Sequence, residues 1–428
     1  MSGDATSQTA PAASHPAGDG RQPQCRFCAA PLRRTFVDLG MSPLCESYVS
    51  ADALNRMEAF YPLHVFLCER CWLVQLDEYV SPDHIFTEYA YFSSYSDSWV
   101  EHARQYVDRI AARLGLNETS RVVEIASNDG YLLQHFVARG VPVLGVEPAA
   151  NVAKVAVDRG IPTLTRFFGV DTATGIRAQI GPADLVVGNN VLAHVPDIND
   201  FVAGVQVLLG SEGSATLEFP HLVRLMEGNQ FDTIYHEHFS YLSLSVVREI
   251  VRAHGLRVYD VDEIPTHGGS LRVYACRQSA SIEERPAVEE LCAREEEFGL
   301  RRLETYARFA EQVMETKRQL LDFLIAARRA GQRVAGYGAP GKGNTLLNYC
   351  GIRTDFLEYT VDRNPYKHGK FLPGTHVPIH PPDRIRETKP DYVLILPWNL
   401  RDEIAAQLAY VREWGARLVV PIPRVEVF

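Results

Sequence analysis

The sequence predicts an α/β protein in which parallel sheets follow a small metal-binding region. Two stretches, from about residue 100 and from residue 333, alternate apolar strands with amphipathic helices, a pattern typical of βαβ units. Two C-x-x-C pairs lie near the N-terminus. The chain of 428 residues is too long for one core, and its hydrophobic fraction of 46% and charged fraction of 22% are those of a globular protein.

The charge balance argues against two classes of partner. Lys plus Arg number 43 and Asp plus Glu number 53, so the net charge of −10 has the wrong sign for neutralising nucleic acid or an anionic membrane. No apolar run approaches the roughly 20 residues that span a bilayer, and the first residues lack the pattern of a secretory signal. We expect a cytoplasmic protein without nucleic-acid or membrane partners. The sequence leaves the oligomeric state open, and a monomer is one of the options.

The N-terminal region divides into a tail and a metal-binding segment. Residues 1–24 contain no Val, Leu, Ile, Phe, Tyr or Trp, which predicts a disordered tail. Residues 25–80 hold the paired cysteines Cys25, Cys28, Cys68 and Cys71. In a reducing compartment this spacing favours tetrahedral zinc, and four thiolates close the coordination sphere, as in a structural site. Two unrelated redox or buried pairs are the alternative.

The first βαβ region carries a nucleotide-binding turn. Strands are predicted over residues 121–126, 141–147, 184–188 and 216–219. The first ends in an acid, small residues and then a glycine at the start of a helix, with Glu124, Ala126, Asn128 and Gly130 as candidate cofactor contacts. Because position 126 is Ala, the dinucleotide pattern G-x-G-x-x-G is incomplete. Glu147 ends the next strand, where a carboxylate can accept ribose hydroxyls; a plain turn followed by a chance acid is the alternative.

Candidate acid–base residues follow two later strands. Tyr235, His236, Glu237 and His238 are consecutive, and their spacing is not that of an H-E-x-x-H zinc site. Histidine titrates near neutrality and a carboxylate can orient it, so the cluster suits proton transfer. Asn190 and His194 follow the strand that ends at Gly188, at the sheet edge where α/β proteins bind ligands. Histidines satisfied within the core are the alternative.

The remaining chain predicts a hairpin, a connector and a second βαβ region. The hairpin covers 257–276 around Gly268 and Gly269, and charged helices follow over 286–330 with a break at Gly299. Further strands are predicted over 333–338, 358–362, 392–396 and 417–421.

A glycine-rich turn, GYGAPGK over 336–342, follows the first of those strands. It satisfies G-x-G-x-x-G, with Asp362 ending the following strand, so by itself it suggests NAD. It also satisfies G-x-x-x-x-G-K, but Gly343 stands where a P-loop needs Ser or Thr for magnesium. A turn of this kind at a helix N-terminus suits a pyrophosphate, with Gly338, Lys342 and Asn344 as candidate contacts.

Taken in order, these motifs resemble those of the deoxysugar C-methyltransferases, which methylate C-3 of nucleotide-linked 4-ketohexoses. The resemblance covers residues 25–428 and rests on the two C-x-x-C pairs and on the segments EIASNDGYLL, NNVLAHVPD, FDTIYHEHFSYLS, GYGAPGKGNTLLNY and VDRNPYKHGKFLPGTHVPI. The first of these segments resembles motif I of class I S-adenosylmethionine (SAM) methyltransferases, with Ala126 in place of the commoner glycine. The resemblance implies a zinc-binding domain over 25–80, a class I Rossmann-like SAM domain over 81–285, and a Rossmann-like domain over 286–428 that helps to hold the sugar nucleotide.

The resemblance also implies the roles of the site residues. His238 is the implied base, with Tyr235, Glu237 and His194 around the sugar. Tyr89 belongs to an aromatic run that is either a lid over the sugar or ordinary linker packing. The expected function is SAM-dependent methylation of carbon C-3 of a 4-keto-deoxysugar, most simply linked to dTDP, through an enolate. A sugar O-methyltransferase, an NAD-dependent oxidoreductase and a zinc module on an inactive scaffold are the alternatives.

Overall fold

The computed structural model describes residues 22–81 and 92–428, which form three sheets with helices packed around them. Most of the tail predicted over 1–24, and the aromatic residues Tyr89 and Tyr91, lie outside the described residues. The strands are β1 (Arg34–Ser42), β2 (Tyr61–Leu67), β3 (Val74–Leu76), β4 (Val122–Ile125), β5 (Val143–Val146), β6 (Thr163–Leu164), β7 (Ala183–Asn189), β8 (Leu209–Pro220), β9 (Ser240–Tyr241), β10 (Leu256–Ile264), β11 (Ser270–Arg277), β12 (Val334–Tyr337), β13 (Thr360–Val361), β14 (Ile379–His380), β15 (Tyr392–Ile395), β16 (Arg417–Val420) and β17 (Glu426–Val427). The α-helices are α1 (Asp97–Leu114), α2 (Leu133–Val137), α3 (Ala150–Asp158), α4 (Val170–Ile180), α5 (Ile198–Leu208), α6 (Leu222–Glu227), α7 (Leu244–Ala253), α8 (Pro286–Phe298), α9 (Leu303–Arg329), α10 (Gly341–Cys350), α11 (Arg384–Thr388) and α12 (Arg401–Gln407).

The N-terminal sheet is antiparallel and has the order β1-β2-β3-β9. Its last strand, β9, comes from the segment directly after the histidine cluster and pairs with β3, Val74 opposite Tyr241 and Gln75 opposite Ser240. The sequence did not predict this pairing, because a strand of two residues carries no alternation of its own. It joins the cysteine-rich region to the segment that carries His238.

The central sheet has the order β10-β11-β8-β7-β4-β5-β6. Strands β8, β7, β4, β5 and β6 are parallel, and the predicted hairpin β10–β11 extends the sheet on the β8 side in antiparallel register. The buried strand segments alternate with helices as the sequence predicted. Since β4, β5, β7 and β8 are parallel, their carboxyl ends meet at one edge, which is where the candidate site residues lie.

The C-terminal sheet has the order β14-β13-β12-β15-β16-β17 and is parallel except for β17. Helices α8 and α9 lead into it. Helix α8 has Pro286 in its first turn and ends at Phe298. Gly299 follows with a φ of 97°, a conformation that favours glycine, so the predicted break is confirmed. Within the described residues, no helix is both long and apolar enough to cross a membrane.

Candidate active site

Four cysteines come together in the N-terminal region. Their Sγ atoms all lie within 4.8 Å of one another, with 3.5 Å between Cys25 and Cys71 and 3.6 Å between Cys28 and Cys68. Sulfurs bound to a tetrahedral zinc at ~2.3 Å are about 3.8 Å apart, so the cluster has the size that zinc requires. Four sulfurs leave no open position, and the cluster therefore fits a structural zinc.

The two cysteine turns share one backbone conformation. The carbonyl of Cys25 accepts from the N–H of Ala29 and that of Cys68 from the N–H of Trp72, both at 2.8 Å. Ala29 and Trp72 have φ of 56° and 64°, respectively. The matching turns present each pair of sulfurs to the same point.

The predicted cofactor turn lies between β4 and α2. Ala126 and Asn128 have φ of 56° and 50°, in the left-handed region that favours glycine. Both line a cavity of about 640 Å³, the volume of a small-molecule site. Ala126 therefore does more than add a methyl group where glycine is commoner. Its backbone conformation is strained, and this strain lies at the cavity wall.

Glu147, at the end of β5, faces the same cavity. Its Oε2 accepts from the N–H of Asn128 and its Oε1 from the N–H of Ala149, each at 2.9 Å. These bonds fix the carboxylate, and each oxygen keeps a lone pair for a ligand hydroxyl. Burial raises the pKa of Glu147. Asn190, with a φ of 54°, lines the cavity, and among the described residues its buried Oδ1 has no hydrogen-bond partner, so the wall contains a polar atom that a bound SAM can satisfy.

Two other residues predicted to contact the cofactor lie behind the cavity wall. Glu124 is 1% exposed, and burial raises its pKa well above the usual carboxyl range, with Glu147 and Asp129 adding repulsion. Gly130 has a φ of 79°, and a Cβ there would lie 2.4 Å from Cδ1 of Ile161. A side chain at position 130 would clash with the core, so the glycine has a packing role.

The histidine cluster lies at the other end of the same cavity. The ring of His238 lies 4.1 Å from that of Tyr235 and 4.6 Å from that of His194, measured between centroids. All three side chains line the cavity that Glu147 and Asn190 also line. The structure thus brings the predicted cofactor edge and the predicted acid–base residues into one space.

His238 is held in one tautomer. Its Nδ1–H donates to the carbonyl of Thr233 at 2.8 Å, which leaves the lone pair on Nε2. Burial, with the neighbouring His194, lowers the pKa of His238 well below the usual histidine range. Burial lowers the pKa of His194 to about 4, opposed by a hydrogen bond with the backbone of Glu237. Both imidazoles are neutral near pH 7.

Glu237 is not the group that orients His238. The Nδ1 position is taken by Thr233, and Glu237 accepts instead from Sγ of Cys45 at 3.8 Å. Burial raises the pKa of Glu237 to about 8, with repulsion from Glu46 adding to it. The carboxyl is therefore mostly protonated near neutrality and faces the cavity as a hydrogen-bond donor.

His236, the remaining histidine of the cluster, points elsewhere. It is 3% exposed, and its Nε2 lies 3.2 Å from the carbonyl of Pro62 in the N-terminal sheet. It does not line the cavity formed by the described residues. Adjacent positions in the sequence thus serve different surfaces.

Part of the glycine turn between β12 and α10 packs against protein, while its residues Pro340, Gly341 and Lys342 line the cavity. A Cβ at Gly338 would lie 2.5 Å from Cδ of Pro397, and one at Gly336 would lie 2.7 Å from Oγ1 of Thr360. Asp362, which would bind ribose in an NAD site, accepts from the N–H of Ala339 at 2.7 Å. Gly336 and Gly338 are needed because a side chain at either position would clash with neighbouring residues. Their spacing therefore does not indicate an NAD-binding site.

Of the three sugar-nucleotide contacts predicted at this turn, one reaches the cavity. Lys342 lines it, with its ammonium 4.6 Å from the ring centroid of Trp398 and donating to Oδ1 of Asn399 at 2.8 Å. Gly338 packs on Pro397, and Asn344 is fully buried, bonded to Asn348. Tyr89, a further predicted substrate contact from another part of the chain, lies outside the described residues.

Trp99 and His267 are among the cavity residues that the sequence analysis did not identify. Trp99 in α1 stacks on His102, and His267 in the hairpin turn meets the Trp99 ring edge-on, 5.2 Å between centroids. His267 has a φ of 53°. The only sequence signal was a histidine beside Gly268 and Gly269, which suggested a turn and nothing more.

Comparison with known proteins bears on these features. A model described as the C-methyltransferase C-terminal domain matches residues 265–423, a zinc binding domain model matches 25–86, and a methyltransferase domain model matches 99–261. The C-methyltransferase NovU of Streptomyces niveus is 39% identical over 404 residues, covering 94% of this chain and 96% of that protein. This chain belongs to the C-methyltransferase family.

Solved structures similar to part of this C-methyltransferase are much more distant in sequence. Magnesium protoporphyrin IX methyltransferase ChlM from Synechocystis, solved with bound SAM, is 18% identical and covers 42% of this chain and 82% of its own, with a TM-score of 0.32. A SAM-dependent methyltransferase from Anabaena variabilis is 15% identical over 41% of this chain and 84% of its own, with a TM-score of 0.34.

The family settles the class of reaction. The protein is a SAM-dependent C-methyltransferase with a zinc-binding domain, as the sequence predicted. The alternatives of an oxidoreductase, an O-methyltransferase and an inactive zinc-binding scaffold are set aside. SAM and zinc are the confirmed cofactors, and both find matching residues in the chain.

Proposed function

We propose that this C-methyltransferase methylates C-3 of a 4-keto-deoxysugar linked to a nucleoside diphosphate, with dTDP the expected nucleotide, in the cytoplasmic biosynthesis of a deoxysugar or antibiotic. The observation that carries the proposal is the single cavity that joins Glu147 and Asn190 to Tyr235, His194 and His238. Such a site can hold a methyl donor at one end and a carbon acid at the other.

Methylation of carbon beside a ketone requires two things of the protein. A base must remove the proton from that carbon, and hydrogen-bond donors must stabilise the negative charge that develops on the ketone oxygen. SAM, when bound, supplies an electrophilic methyl group that needs no metal to activate it. The residues of the chain have to form the enolate and align it.

His238 meets the requirement for the base. Its imidazole is neutral, and the hydrogen bond from Nδ1 to Thr233 directs the lone pair of Nε2 away from that carbonyl. The proton from C-3 would reside on Nε2 after abstraction. Tyr235 and His194 flank the ring and supply donors for the enolate oxygen. The protonated carboxyl of Glu237 is a further donor to the sugar.

The remaining contacts support a proposal for which residues bind the ribose of SAM and the diphosphate of the sugar nucleotide. Glu147, with both oxygens fixed by backbone N–H groups, is proposed to accept the ribose hydroxyls of SAM, beside Asn190 and the turn of Ala126 and Asn128. Lys342 is proposed to face the diphosphate of the sugar nucleotide, since it is the ammonium group that lines the cavity.

Proton exchange isolates the first half of this reaction. In deuterated water, with S-adenosylhomocysteine bound, the wild-type protein should introduce deuterium at C-3 of a dTDP-4-keto-6-deoxysugar. Mass spectrometry and NMR of the sugar detect the deuterium. His238→Asn should lose exchange and methylation by about 10²–10⁴-fold, the usual contribution of a general base. His236→Asn is the matched control, because the same change two residues away lies outside the cavity.

Two outcomes would contradict the proposal. If His238→Asn exchanges at the wild-type rate, another group is the base. If the wild-type protein transfers a methyl group to a different carbon, or exchanges no proton at C-3 of any 4-keto sugar tested, the assigned acceptor is wrong.

A further inference from the structure

Arg26 stands between the two cysteines of the first C-x-x-C turn, but its side chain leaves the sulfur cluster. Its Nη1 donates to the carbonyl of Pro196 at 2.7 Å, and its Nη2 donates to the carbonyl of Leu76. The guanidinium carbon lies 5.3 Å from the ring centroid of Phe239. One side chain thus touches three separate segments of the chain.

Two of those segments carry the candidate catalytic histidines. Pro196 follows His194 by two residues, and Phe239 follows His238 directly. The N–H of Phe239 donates to the carbonyl of Ala193 at 2.8 Å, so the two segments are also bonded to each other. The third segment, at Leu76, donates from its N–H to the carbonyl of Phe239 at 3.0 Å. Arg26 therefore contacts all three members of this junction.

The base of the Arg26 side chain is fixed by the cysteine turn. Its backbone N–H donates to Oε1 of Gln75 at 2.8 Å, while Nε2 of Gln75 donates to Sγ of Cys25 at 3.1 Å. The amide of Asn199 donates to the carbonyls of Arg26 and Phe27, both at 3.0 Å. A rigid turn on one side and the histidine segments on the other are joined through this residue.

The chemistry of Arg26 is unusual for a residue needed only for stability. Within the described residues its Nε is buried without a hydrogen-bond partner, and its guanidinium forms no salt bridge. Burying a charged guanidinium costs solvation free energy, which its hydrogen bonds to two carbonyl oxygens offset. An apolar side chain of the same volume could fill the space but could not hold two carbonyl oxygens at fixed directions.

We propose that Arg26 is a positioning residue, which couples the zinc-binding turn to the segments of His194 and His238 and so sets the placement of the two imidazoles in the cavity. The catalytic meaning of this placement rests on the proposed function. Residues outside the reacting atoms that orient catalytic groups typically change activity by about 10–100-fold when removed.

The test compares three variants of the full-length, zinc-loaded protein. Arg26→Met removes both hydrogen bonds and keeps the length of the stem. Arg26→Lys keeps the positive charge but can reach only one of the two carbonyl oxygens at a time. It provides a milder variant in case Arg26→Met does not fold. Arg34→Met is the matched control, because Arg34 belongs to the same domain but forms an exposed pair with Glu69. Zinc content and thermal unfolding are measured for each.

The deciding readout is the ¹⁵N imidazole NMR spectrum, assigned with His194→Asn and His238→Asn, because it needs no sugar substrate. We expect Arg26→Met to retain zinc and to shift the signals of both histidines, with Arg26→Lys intermediate and Arg34→Met unchanged. In the proton-exchange assay, Arg26→Met should lower the rate by about 10–100-fold without changing the Kd for SAM. Wild-type imidazole signals in Arg26→Met would overturn the proposal. If Arg26→Met does not fold, wild-type imidazole signals in Arg26→Lys would overturn it. A wild-type enzyme without C-3 exchange would instead overturn the proposed function and leave the NMR test intact.

Discussion

Replacing Ala126 by glycine should stabilise the protein, although most substitutions at a ligand-binding turn destabilise. Ala126 has a φ of 56°. An alanine in this left-handed conformation costs about 1–2 kcal/mol, because its Cβ crowds the following carbonyl. Glycine removes that strain but loses about 0.5–1 kcal/mol more backbone entropy on folding. The difference favours Ala126→Gly by about 0.5–1 kcal/mol, which corresponds to a rise of about 1–4 °C in Tm for a domain of this size.

Differential scanning calorimetry without added cofactor measures this effect. The control is Ala112→Gly, an exposed alanine inside helix α1, where the same chemical change should destabilise by about 1 kcal/mol. Opposite signs for the two variants are expected, because only the backbone conformation differs between the sites. Equal losses of stability at both positions would refute the assignment of strain to Ala126.

Three further predictions concern the metal, the cofactor and pH. Metal analysis should find about one zinc per chain, retained in Cys276→Ser and lost in Cys68→Ser, with unfolding of the N-terminal sheet seen by limited proteolysis; zinc-free native protein would contradict this. Glu147→Ala should weaken SAM binding by about 1–3 kcal/mol in calorimetry, the loss expected for hydrogen bonds to a charged acceptor, and an unchanged Kd would place the ribose elsewhere. Burial lowers the pKa of His236 to about 4, while the unfolded chain protonates near 6.5, so protons favour unfolding in that window. The contribution of His236 to the free energy of unfolding should be fully present above pH 6.5 and should be lost, by up to about 3 kcal/mol, toward pH 4; His194 and His238, whose pKa values are also lowered, add to the fall. Denaturation of His236→Phe should therefore show a smaller fall in the free energy of unfolding than the wild type over the same range.

The parts of the molecule that repeat a local pattern could be predicted from the sequence. The buried strand Tyr392–Ile395 is a continuous apolar run, Val122–Ile125 is apolar apart from Glu124, and Gly299 interrupts a helical pattern, so each is visible within a short window. The cysteine tetrad is equally visible, since two short motifs define it. Local signals were sufficient wherever one segment determines its own conformation.

The remaining features depend on segments that are distant in the chain. Gly338 fits a phosphate-binding pattern, but a side chain there would meet Pro397, almost sixty residues later, so the glycine also answers a packing need. Glu237 stands beside His238 in sequence, but its partner is Cys45. His267 reaches the cavity only because its hairpin folds against α1. No window of sequence contains both members of such a pair, so spacing alone could not distinguish packing from binding.

The two-residue strand Ser240–Tyr241 has a consequence for how this protein can change during evolution. It belongs by sequence to the central region and by hydrogen bonding to the N-terminal sheet, where it pairs with Val74 and Gln75. A gene fusion that exchanged the first eighty residues for those of a relative would have to supply a matching edge for this strand, within a few residues of His238. The N-terminal region and the segment of His238 should therefore tolerate exchange only as one unit, and recombination between them should yield active chimaeras only when both sides come from compatible parents.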